Sequence, residues 1–160
     1  MALSSFLSLF GFGAAADEAT LKRLTEIHAL VMDPARNFSI SQTLAELDGL
    51  EAAVAKTPQN SRERGELAFL RGFINYRAGR PEDAVAPMQE AVRIDETAPF
   101  LPAQERAKNY HNLGSQATQV KQWSVALPAY QKAIELVDAD PAMTMDQAHR
   151  RPPGLGLCAA

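Results

Sequence analysis

The chain has 160 residues, enough for one domain of ordinary size or for a short array of helical hairpins. Hydrophobic residues make up 46% and charged residues 22% of the sequence, which are values of a globular protein and exclude disorder as the default. The formal net charge of -3 argues against nucleic acid as the main partner, because binding to phosphate groups requires a basic surface.

Residues 1–16 form an apolar leader. No Lys or Arg precedes its apolar run, and Gly11 and Gly13 interrupt it, so the leader is a poor export signal. It is also too short to span a bilayer as an ordinary helix, and we expect no stable membrane span. We therefore expect a cytoplasmic protein whose leader folds onto the first hairpin. The alternative is an exported, periplasmic protein that is cleaved after Ala16.

Residues 17–60 are predicted to form a first helical hairpin. Apolar residues recur at helical spacing over 18–32, and an Asp-Pro pair ends this pattern because the residue before proline avoids helical torsion angles. Ser39 and Gln42 form a capping box for a second helix over 40–56, which ends before another proline.

An internal repeat lies between residues 65 and 137. Gly72 is followed after twelve residues by Ala, after sixteen by a large residue and after nineteen by Ala, and the same spacing follows Gly114. Corresponding residues are 42 positions apart, and the helices predicted for the two units cover 62–78 with 81–95 and 103–119 with 123–138. The residues that should pack between these helices are Gly72, Ala84, Met88, Ala91, Gly114, Ala126, Tyr130 and Ala133.

The glycines should allow close approach of the two helices in each unit. We expect Ala84 and Ala126 to face them, so that small residues meet small residues. Met88 and Tyr130, one turn further on, should fill the widening gap between the helices.

This pattern resembles the tetratricopeptide family, in which Leu-Gly in a first helix precedes Ala, a large aromatic residue and Ala in a second. Leu113 and Gly114 match it, whereas Arg71 stands where Leu is usual, and the period of 42 exceeds the usual length of about 34. The resemblance implies an all-α fold of antiparallel helical hairpins stacked as a short right-handed solenoid. Residues 17–60 would be a degenerate first hairpin, and residues 61–141 would hold two repeats.

The resemblance also implies a concave groove lined by the first helix of each unit. This groove would make the chain a non-catalytic adaptor or scaffold that binds another protein or a peptide. Two alternatives remain open, a non-catalytic or substrate-presenting subunit of an enzyme and an exported envelope assembly factor. The three aromatic residues of the first unit fit partner binding and burial against the preceding hairpin about equally well. The candidate groove residues are Phe69, Phe73, Tyr76, Arg77, Lys108, His111, Asn112 and Ser115.

The sequence contains no pattern that indicates catalysis. The three histidines lie far apart without a second His or Cys at ligand spacing, and the single cysteine, Cys158, cannot form an internal disulfide. No phosphate-binding loop, dinucleotide-binding glycine motif or nucleophile elbow is present. We therefore expect no catalytic residue, no metal and no cofactor.

The C-terminal segment, residues 142–160, is predicted to hold a short helix and a disordered tail. The helix should start near Pro141 and end near His149. From residue 151 onward the sequence has two prolines, two glycines and no periodicity.

Overall fold

The structure is a computed structural model, which describes residues 8–140, with side chains from residue 18 onward. Within these residues all regular structure is helical, so the predicted all-α class is confirmed. The predicted C-terminal helix and tail, and the first seven residues of the leader, lie outside the described residues. The six helices are α1 (Ser8–Met32), α2 (Ile40–Val54), α3 (Arg62–Arg77), α4 (Pro81–Thr97), α5 (Ala103–Gln119) and α6 (Trp123–Ala139).

Local sequence signals explain the starts of three of these helices. The Ser39 hydroxyl accepts a hydrogen bond from the Gln42 backbone N–H at 3.4 Å, and the Ser61 hydroxyl accepts one from Arg64 at 3.3 Å. Pro81 is the first residue of α4, where its missing amide hydrogen costs nothing. Helices α2 to α6 all begin and end within two residues of their predicted bounds.

Helix α1 starts ten residues earlier than predicted, because the backbone of residues 8–17 continues it. The end of the leader is a run of three alanines, the residue with the highest helix propensity, and no proline occurs before Pro34. The composition of the leader predicts a separate segment, yet its sequence contains no residue that ends a helix, and α1 continues through Gly11 and Gly13.

Two larger apolar clusters form most of the interior of the described part, and a third, smaller one surrounds Ala107 of α5. The first joins α1, α2 and α3 and includes Leu24, Leu47 and Leu70. The second joins α4, α5 and α6 and includes Met88 and Leu113. Each of these side chains is nearly inaccessible to solvent, and burying a Leu or Met stabilises the folded state by about 1.5 to 3 kcal/mol.

The two glycines of the repeat make equivalent close contacts. A Cβ atom added to Gly72 would lie 2.6 Å from Cγ of Met88, and one added to Gly114 would lie 2.8 Å from Cδ1 of Tyr130. The nearest neighbours of both glycines are thus the large residues rather than the alanines that the sequence suggested. The second helix lies so close that the large side chain itself covers the glycine. The eight predicted packing residues are all buried except Tyr130, which is half-buried.

The connection from α4 to α5 is fixed by the buried carboxylate of Asp95. Its Oδ1 accepts hydrogen bonds from the backbone N–H groups of Phe100 and Leu101 at 2.7 and 2.8 Å. Its Oδ2 pairs with the guanidinium of Arg106 in the first turn of α5. Because a carboxylate that accepts several hydrogen bonds holds its partners in one geometry, Asp95 positions α5 relative to α4.

Among the helices that the structure describes, none has the length and apolar character needed to cross a membrane.

Candidate interaction surface

The predicted aromatic residues form a row along α3, but they differ in accessibility. The ring centroids of Phe69 and Phe73 are 6.0 Å apart, and those of Phe73 and Tyr76 are 6.1 Å apart. Phe69 is only 2% exposed and stacks on the ring of His28 in α1 at 5.0 Å. Phe69 therefore belongs to the core, as the burial alternative expects, whereas Phe73 and Tyr76 are half-buried.

Arg77 covers the accessible end of this row. Its guanidinium lies 5.9 Å from the ring centroids of both Phe38 and Phe73. A cation over an aromatic face is attracted by the ring quadrupole, by about 0.5 to 1 kcal/mol at an exposed site. Arg77 is exposed as a whole, so its charge is held beside Phe73 and remains open to solvent.

The candidate residues on α5 form a polar face. Lys108, Asn112 and Ser115 follow one another at helical spacing, with Lys108 exposed and the other two half-buried. His111 is half-buried, and its ring meets that of Tyr130 edge-on at a centroid distance of 5.6 Å. Helix α5 contacts α3. The aromatic row with Arg77 and the polar face with Lys108 therefore lie on neighbouring helices. Their role in binding stays a prediction.

A partly buried histidine bridge, made of His28, Glu66 and Glu105, links α1, α3 and α5. Nδ1 of His28 lies 2.8 Å from Oε2 of Glu66, and Nε2 lies 2.9 Å from Oε2 of Glu105. Burial by itself would lower the pKa of His28. Hydrogen bonds to Glu105 and Glu66 and the charges of both carboxylates outweigh burial and raise this pKa to about 9. His28 is therefore a cation at neutral pH and donates to both carboxylates.

One sequence signal points to this bridge, since His28 occupies a core-facing position in the apolar pattern of α1. A polar residue at such a position needs a buried partner. The chain positions alone do not identify it, because Glu66 and Glu105 are 38 and 77 residues away. In the part of the chain with described side chains, no group of three or more His, Cys, Asp or Glu residues could hold a metal ion.

Two open clefts lie at equivalent places in successive units. One, of about 260 Å³, is lined by α2, α3 and α4, and the other, of about 410 Å³, is lined by α4, α5 and α6. Ala68 and Glu90 line the first, and the residues 42 positions later, Tyr110 and Lys132, line the second. None of the predicted groove residues lines either cleft.

Helix α6 exposes an apolar face that the sequence analysis did not single out. Trp123, Leu127 and Ile134 are 55%, 51% and 37% exposed. In the part of the chain with described side chains, no other large hydrophobic residue is exposed. Their spacing of four and seven residues places them in one line on the helix, which we call the α6 stripe. This spacing is visible in the sequence, but it does not reveal that the described helices leave these three side chains uncovered.

Comparisons with known proteins do not assign a family to this chain. No protein-family model matches it, and neither a curated protein nor a solved structure matches it. What the surface binds is therefore inferred from its own residues and geometry.

Proposed function

We propose that the chain is a non-catalytic protein-binding module whose hairpins α3–α4 and α5–α6 are tetratricopeptide-like repeats, stacked as a right-handed solenoid. The observation that carries the proposal is the equivalence of the two hairpins. Helix α6 begins and ends 42 residues after α4, and Gly72 and Gly114 contact the large residues sixteen positions later in both units. Stacked hairpins of this kind present an extended surface rather than an enclosed site, which suits a bound polypeptide segment.

The binding face in this proposal is formed by α3 and α5. Phe73 and Tyr76 supply half-exposed aromatic area, which contributes most to binding when it becomes buried at the centre of an interface. Arg77 and Lys108 supply two exposed cations, and Asn112 adds an amide that can both donate and accept hydrogen bonds. This combination favours a segment that carries an apolar side chain next to a carboxylate.

Phe69, the buried member of the aromatic row, has a different role in this proposal. Its ring stacks against that of Phe73, and its contact with His28 links α3 to α1. The partner would contact the half of the row that lies toward the end of α3, where Arg77 is exposed.

Site-specific photo-crosslinking tests this proposal. A photoreactive phenylalanine analogue replaces Arg77 in one variant and Lys108 in another, and it replaces the exposed Lys56 in the turn after α2 as a matched control. After irradiation in cells, we expect the same partner attached to both test positions, and mass spectrometry of the adducts identifies its segment. Equal adducts from Lys56, or none from Arg77 and Lys108, would contradict a binding face on α3 and α5.

A further inference from the structure

The exposure of the α6 stripe can be compared with the equivalent position of α4. Leu127 of α6 corresponds to Val85 of α4, 42 residues earlier. Val85 is 3% exposed because it packs in the cluster that contains Tyr110 and Leu113 of α5, whereas Leu127 is 51% exposed. The same position of the repeat is therefore covered where a further helix packs on it and open where the described chain provides none.

The charges around the stripe are arranged with opposite signs at its two ends. Lys121 is exposed just before the first residue of α6, and Asp138 is exposed in its last turn. The helix dipole adds a partial positive charge at the first end and a partial negative charge at the second. A second α6 running in the opposite direction would meet opposite charge at both ends.

We propose that the α6 stripe is the contact surface of a homodimer in which the α6 helices of two copies pack antiparallel. An axis near residues 130 and 131 places Leu127 of each copy against Ile134 of the other, and Lys121 near Asp138. The arrangement is self-complementary and closed, as in a two-fold symmetric dimer, so it does not lead to open filaments.

The size of the stripe sets the strength of this dimer. One helix face with three exposed apolar side chains offers less area than the ~800 Å² per partner of a standard stable interface. The dimer should therefore be weak, with a dissociation constant on the order of micromolar, and its population should depend on protein concentration.

Trp123 provides a direct probe of the interface, because it is the single tryptophan of the chain. Sedimentation equilibrium and tryptophan emission are measured on the full chain over a hundredfold range of concentration. We expect the mass to rise from one copy to two and the emission to shift to the blue over the same range. A one-copy mass with exposed emission throughout would overturn the proposal. So would a blue shift that does not change with concentration, because the stripe would then be covered by its own chain.

Two sets of variants test the interface and its register. Leu127→Lys should abolish the dimer with an unchanged circular dichroism spectrum, whereas Ala45→Lys, at an exposed position of α2, should leave the dimer intact. A dimer that persists in Leu127→Lys would overturn the assignment to α6.

Asp138→Lys should weaken the dimer, and Lys121→Glu in the same chain should restore it. Failure of the double variant to recover would contradict the antiparallel pairing.

Discussion

The stability of the protein should fall as pH rises from about 6.5 to about 9, because His28 loses its proton in this range. The folded-state pKa of His28 is about 9, against an ordinary value of 6.5, and its side chain is 15% exposed. A folded state that binds a proton more tightly than the unfolded state gains stability below the unfolded pKa and loses it through the folded pKa. At about 1.4 kcal/mol for each pH unit, the free energy of unfolding should drop by about 3 kcal/mol across this window.

Urea unfolding of the wild-type chain and of His28→Gln at pH 6, 7, 8 and 9.5 isolates this effect. Glutamine keeps a hydrogen-bonding side chain but does not titrate, and the groups that titrate elsewhere cancel in the difference between the two proteins. The advantage of the wild-type chain in free energy of unfolding should shrink by about 3 kcal/mol from pH 6 to pH 9.5. If the two proteins instead follow parallel curves, within about 1 kcal/mol, the carboxylates of Glu66 and Glu105 do not hold the proton on His28.

Three glycines and one buried carboxylate give further predictions, each measured by thermal or urea unfolding. Gly72→Ala and Gly114→Ala should each lower the free energy of unfolding by about 1 to 3 kcal/mol, because the new Cβ would overlap the facing side chain. Gly49→Ala should raise it by about 0.5 to 1 kcal/mol, because no atom lies within 4 Å of the new Cβ in the middle of α2. If Gly114→Ala instead raised the free energy of unfolding, the close contact between α5 and α6 would be refuted. Asp95→Ala should cost about 3 to 5 kcal/mol, since it leaves two amide hydrogens without their acceptor and the half-buried guanidinium of Arg106 without its carboxylate, whereas the exposed Glu18→Ala should change stability little.

The sequence predicts most of this fold because the signals that decide it are local. Apolar periodicity, a serine cap before α2 and a proline at the start of α4 fix helix type and ends within a few residues of the chain. The start of α1 is an exception, since an alanine-rich leader contains neither a helix start nor a helix stop signal. The glycine contacts were predicted at the correct positions, but which residue covers each glycine depends on how closely the helices approach.

The surface was less predictable, because burial depends on contacts between distant segments. Phe69 and Phe73 have the same residue type and lie one turn apart, yet α1 covers the first more completely than the second. The histidine bridge required knowledge of how α1, α3 and α5 pack, since its members come from three helices. Leu127 shows the opposite case, because it lies 42 residues after the buried Val85 but is exposed where no helix of the described part packs on it.

The most direct test of the proposed function is the affinity of Arg77→Gln/Lys108→Gln for the partner segment that crosslinking identifies, measured by calorimetry beside its melting temperature. Both side chains are exposed, so the melting temperature should stay within about 5 °C of the wild-type value. The two charges face the proposed partner, so the dissociation constant should rise about 30-fold, which corresponds to ~2 kcal/mol. The Lys56→Gln control should bind as the wild-type chain does. A double variant that also binds with unchanged affinity would contradict the assignment of the partner to α3 and α5.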